Sequence, residues 1–151
     1  MKYSQQIQRS PRVRVAPDRT VQTHRIGMIV PSSNTTMETE IPELLQRAGR
    51  GTHRFTFHSS RMRMKKVNLS ELGKMNAQAD RCAEELSDAA VDVAAYACLV
   101  AVMSEGPQCA QEMARSLSEV LQEGNPQAQM ITSAGALIEG VRRLGVSKVA
   151  L

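Results

Sequence analysis

The chain has 151 residues, 42% of them hydrophobic and 23% charged, with a formal net charge of +4: the composition of one soluble domain large enough to bury a core. The basic excess lies in residues 1 to 24, with five Lys/Arg against Asp18 alone, whereas residues 25 to 151 hold fourteen charges of each sign. With 3% aromatics and no Trp there is little on which bases could stack, and this argues against a nucleic-acid partner.

Residues 1 to 24 read as a disordered basic tail without the apolar segment of a secretory signal. No run approaches the roughly 20 apolar residues of a membrane span, so the expectation is a cytoplasmic protein with no membrane partner. From Arg25 onward, short β-rich runs alternate with helical ones. RIGMIV at 25 to 30 is an apolar strand cut off by Pro31. Thr35 and Glu38 have capping-box spacing for a helix over 36 to 48, stopped by Gly49. HRFTFHSS at 53 to 60 alternates like a half-buried strand. Leu72, Met75, Ala79, Cys82, Ala83 and Leu86 recur at three- and four-residue steps, which predicts one long helix over 69 to 90.

VDVAAYACLVA at 91 to 101 is nearly continuously apolar, as in a central parallel strand covered on both faces. A helix over 108 to 123, a strand at 128 to 132 and a helix over 134 to 144 follow, and KVAL at the end opens a further strand. The alternation predicts an α/β fold with a doubly wound parallel sheet of four strands and the start of a fifth. Because the last run stops inside a strand, a truncated product is expected.

In such a sheet, ligands bind beyond the carboxyl ends of the strands, where strand order reverses. Three segments meet that description: 31 to 36, 98 to 105 and 132 to 135. PSSNTT offers hydroxyls and an amide at a helix N-terminus, suited to a carboxylate or phosphate; plain N-capping explains the same residues. TSAG at 132 to 135 repeats both readings. Cys98 ends the central strand, where a thiol can be half-buried and still face the crevice, although a cysteine in an apolar run is also an ordinary core residue. Cys82 and Cys109 fall within predicted helices and read as packing residues. The three cysteines include no CxxC, which disfavours both a disulfide framework and a zinc site. His53 and His58, an odd number of residues apart on one strand, face opposite sides and imply no metal. RMRMKK at 61 to 66 puts Arg61, Arg63, Lys65 and Lys66 beside the second strand and reads as a solvated loop in preference to a substrate clamp.

These same residues carry a resemblance. RIGMIVPSSNTTMETEIP at 25 to 42, RFTFHSSRMRMKKV at 54 to 67, YACLVAVMSEGP at 96 to 107 and SAGAL at 133 to 137 resemble the maleate isomerases of the aspartate/glutamate racemase superfamily, over about Arg25 to Leu151. The resemblance implies two pseudo-symmetric α/β halves with one nucleophilic cysteine each, residues 25 to 145 being the N-terminal half and 146 to 151 the first strand of the second, with no cofactor, maleate as substrate and a homodimer. It implies Cys98 as the nucleophile of this half, Asn34 and Ser33 as substrate-binding, the Leu99 and Val100 amides as oxyanion donors, and Ser133 as a carboxylate contact. A second cysteine, a tyrosine and an asparagine would come from beyond Leu151, and residues 1 to 24 have no counterpart. The implied reaction is reversible thiolate addition to the alkene, in a fragment that would be inactive alone. A racemase or an arylmalonate decarboxylase of the same superfamily, a flavodoxin-like phosphate-binding module and a non-catalytic remnant are the alternatives.

Overall fold

The computed structural model describes residues 21–49, 51–104, 106 and 108–148. The expected tail lies outside these residues up to position 20, but positions 22 to 24 are already strand. In chain order the elements are β1 (Gln22–Pro31), α1 (Thr36–Gly49), β2 (His53–Met62), α2 (Leu69–Asn76), α3 (Ala79–Asp88), β3 (Val93–Tyr96), α4 (Leu99–Ser104), α5 (Cys109–Gly124), β4 (Gln129–Thr132) and α6 (Ser133–Arg143). The strands form one parallel sheet in the order β2-β1-β3-β4, the doubly wound arrangement expected. Residues 146 to 148 are not strand, and the remainder of the expected fifth strand lies outside the described residues.

Strand pleating divides the apolar side chains between two faces. Ile29, Met62, Ala94, Tyr96 and Met130 turn to one face and pack with Leu72, Met75, Cys82, Leu86, Val102, Leu117 and Leu121 from the helices in the main core. Met28, Val30 and Ala97 turn to the other and pack with Met37 and Phe57 in a smaller core. At β4 the alternation is plain: Met130 is buried, whereas Ile131 is 46% exposed.

Three expectations need correction. The apolar run at 91 to 101 is not one strand: β3 ends at Tyr96 and Leu99 opens α4. Unbroken apolarity hides the change of period, which burial reveals: Ala101 and Val102 are buried, while Val100 and Met103 are exposed. The helix predicted over 69 to 90 is two. Its buried face is as read, but the chain breaks at Ala77 and Gln78, where the Gln78 side chain acts as a surrogate strand partner. Its Oε1 accepts from the Arg63 N–H at 2.9 Å, and its Nε2 donates to the carbonyls of Lys74 at 3.0 Å and Arg63 at 3.3 Å. Finally, Thr35 and Glu38 form no capping box. Asn34 caps α1, its Oδ1 accepting from the N–H groups of Thr36 at 3.0 Å and Met37 at 3.3 Å.

The approach to β3 is tight. α3 closes with Ala90 N–H donating to the Ser87 carbonyl at 2.8 Å and Val91 N–H to the Leu86 carbonyl at 3.4 Å, the paired bonds of a Schellman ending. This puts Ala90 at φ 47°, the left-handed region glycine favours. At the end of α5, Gly124 packs so closely on α3 that a Cβ there would lie 1.8 Å from the Ser87 carbonyl oxygen. Ala90→Gly is therefore expected to raise stability by up to about 1 kcal/mol in urea unfolding. Gly124→Ala should lower it by about 3 kcal/mol, because backbone rather than a flexible side chain must yield.

Candidate active site

The order β2-β1-β3-β4 puts the reversal of strand order between β1 and β3. Their parallel ladder runs from Ile26 opposite Val93 to Ile29 opposite Tyr96, and Ala97 N–H extends it to the Ile29 carbonyl at 2.9 Å. The chain beyond β1 and the chain beyond β3 therefore emerge side by side. The first carries Ser33 and Asn34; the second carries Cys98, Leu99 and Val100. Pairing of Tyr96 with Thr132 brings in a third exit, where Thr132 caps α6 by accepting from Gly135 N–H at 3.1 Å and Ser133 follows. All six residues singled out from sequence thus lie beyond the carboxyl ends of adjacent strands.

They differ in how they are held. Cys98 is a free thiol, half-buried against the edge of the main core, and its carbonyl accepts the Val102 N–H at 3.2 Å. Leu99 and Val100 open α4, so their N–H groups precede the helix's own bonding pattern. Asn34 is half-buried with its Oδ1 committed to the α1 cap, and Ser33 is exposed. The Ser133 hydroxyl oxygen is shielded from solvent and has no hydrogen-bond partner among the described residues. Such a group costs free energy unless something else satisfies it.

Beside the α4 side of this region lies a cleft of about 270 Å³ lined by Leu99, Val102, Met103, Ala110, Leu137 and Ile138, among others. Its lining is apolar, unlike the polar loops after β1 and β4. The other thiols are held differently. Cys82 is fully buried; burial pushes its pKa up, and a Ser60 hydrogen bond and the Arg81 charge oppose this only in part, so it is a poor nucleophile. Cys109 is half-buried at the start of α5. His24 and His53 meet at 2.9 Å near the amino-terminal ends of β1 and β2, the opposite end of the sheet. Among the described residues no group of three His, Cys, Asp or Glu is placed to hold a metal ion, and no helix is long and apolar enough to cross a membrane.

Sequence reading missed Arg61, which it placed in a solvated loop. It lies on β2, and the register that pairs Pro31 with Met62 sets it against the loop after β1. Its guanidinium donates to the carbonyls of Ser32 and Asn34, each at 3.1 Å, and pairs with Glu38 of α1. Only that strand register, invisible in a single sequence, would have found it. Ser32 is fixed by the same strand end: its hydroxyl donates to the Met64 carbonyl at 3.2 Å and accepts the Met64 N–H at 3.0 Å.

A parallel α/β unit with a half-exposed cysteine at the switch point is the class of fold and site that the described residues define. Arylmalonate decarboxylase shares this fold, with a TM-score of 0.56 at 20% identity over 82% of this chain and 47% of that one. No family model matches the chain. Relatives are much closer: the maleate isomerase of Geobacillus stearothermophilus is 56% identical over 129 residues, 84% of this chain and 51% of the relative. The maleate cis-trans isomerase of Nocardia farcinica, solved as a mutant with a covalently bound succinylcysteine intermediate, superposes with a TM-score of 0.75 at 50% identity, covering 82% of this chain and 49% of that one. Over most of its length the chain is thus homologous to maleate isomerases, and it spans about half the length of the curated relatives it matches.

Behind the loop, Ser60 donates to Glu85 at 2.5 Å, and Glu85 also pairs with Arg81. The Ser60 hydrogen bond first, and then that from Arg81, holds the Glu85 carboxyl below its ordinary range. A lowered carboxyl pKa stabilises the fold above the unfolded value, about 4.3, and that contribution is lost as the pH falls through the lower folded-state value. In Ser60→Ala, the Glu85 titration followed by carbon NMR is expected to move upward. An unchanged midpoint would remove Ser60 as the main cause.

Proposed function

We propose that the full-length polypeptide isomerises maleate to fumarate with Cys98 as a nucleophile. The observation that carries this is the half-exposed thiol immediately beyond β3, at the strand-order reversal, in a chain so similar to maleate isomerases. The relative trapped as a succinylcysteine supports the covalent route. The Cys98 thiolate adds to one alkene carbon, forming a C–S bond while the π electrons move to the other carbon and its carboxylate. The central bond is then single and rotates. As the trans double bond re-forms, the C–S bond breaks and its electron pair returns to sulfur, so no cofactor is consumed.

The loops supply the grips such a reaction needs. With Oδ1 of Asn34 engaged at the α1 cap, its Nδ2 is the atom that donates to a substrate carboxylate, and Ser33 stands beside it. The N–H groups of Leu99 and Val100 stabilise the charge that gathers on the carboxylate during addition. The unpaired Ser133 hydroxyl donates to the other end of the dicarboxylate. Residues 25 to 145 act as one of two halves, the other supplying the partner cysteine, in a cytoplasmic homodimer. The free thiols fit a reducing compartment, and exposed Val100, Met103, Leu137 and Ile138 fit burial against further protein. The racemase and decarboxylase readings rest on likeness of fold alone.

The test is conversion of maleate followed by proton NMR with the full-length polypeptide. Cys98→Ser should lower the rate at least about a thousandfold, and mass spectrometry of quenched wild-type protein should find a maleate adduct on Cys98. Conversion by Cys98→Ser at the wild-type rate would end this reading.

A further inference from the structure

We propose that Arg61 is a positioning residue that sets the shape of the loop after β1 and so determines how tightly the dicarboxylate is held; this rests on the reading of Asn34 as a substrate grip. Asn34 N–H donates to the Pro31 carbonyl at 2.9 Å, closing a turn with two outward-facing carbonyls, those of Ser32 and Asn34. One nitrogen of the Arg61 guanidinium bridges both at 3.1 Å, and the other pairs with Glu38 in the first turn of α1. The loop and the helix that Asn34 caps are thereby tied to β2 through a single planar group. A lysine ammonium lacks that fork and its directed pair of donors.

The anchor is itself fixed from behind. The Arg61 carbonyl accepts from Arg81 of α3 at 2.9 Å, and Arg81 pairs with Glu85, which accepts from buried Ser60. A continuous polar chain therefore runs from α3 under β2 to the substrate loop. Arg61 touches no reacting atom in this arrangement. It acts by holding the Asn34 backbone, which directs the side-chain amide that α1 leaves available.

Steady-state kinetics of the full-length polypeptide with maleate test this, with Arg63→Ala, on the exposed neighbour, as the control. Arg61→Ala is expected to raise KM for maleate at least tenfold while kcat falls less than threefold, the signature of weakened binding rather than lost chemistry. Arg61→Lys should fall between Arg61→Ala and wild type, and added ethylguanidinium should lower the KM of Arg61→Ala without changing that of Arg63→Ala. A wild-type KM in folded Arg61→Ala, or a loss confined to kcat, overturns the proposal. If Arg61→Ala does not fold, Glu38→Gln, which frees one anchor of the guanidinium and leaves β2 intact, is read by the same rise in KM. Failure of the isomerase reading is separate: it would appear as unchanged turnover in Cys98→Ser.

Discussion

The arrangement depends on the short parallel ladder between β1 and β3. Four residue pairs, Ile26 with Val93 through Ile29 with Tyr96, and one further bond from Ala97 decide that the chain after Pro31 and the chain after Tyr96 leave the sheet next to each other. Neither loop contains much chemistry alone. PSSNTT is an ordinary helix start, and Cys98 is one apolar-neighboured thiol. Their adjacency, produced by backbone hydrogen bonds buried between two apolar layers, brings a capping amide and a sulfur atom to the ends of neighbouring strands.

That adjacency needs stiffness, and the polar network supplies it. Loops are held weakly by their own side chains, but this one is braced from a neighbouring strand by Arg61 and from the strand's continuation by Ser32 bonded to Met64. Most of these groups are partly exposed, so their value lies in geometry more than in stability. The apolar packing of Met28 and Val30 with Met37 and Phe57 keeps α1 on the sheet while the polar contacts set its first turn.

Much of this was legible in the sequence, for identifiable reasons. Apolar runs and, at β2, period-2 alternation marked the strands, period-3.6 spacing and stop signals marked most helices, and the resemblance in 25 to 42 and 96 to 107 led to Asn34 and Cys98. The failures share a cause. From Val93 to Ala101 the run is unbroken by charge, so no polar residue records where strand becomes helix; the unbroken period from Leu72 to Leu86 hides a bend made by Gln78 reaching sideways to Arg63. Arg61 was invisible because its role depends on which residue of β2 lies opposite Pro31, a long-range register. Sequence showed which residues could act, but not which neighbours would steady them.

The brevity of β3 has its own consequence. Tyr96 points into the larger core, Ala97 into the smaller one, and Cys98 back toward the larger, so the thiol's side of the sheet is set by counting residues, even against odd. Adding or removing one residue between Val93 and Cys98 would deliver the sulfur to the wrong layer while leaving the composition of the strand almost untouched. Changes of chemistry on this scaffold are therefore far easier by exchanging side chains at constant length than by altering the length itself.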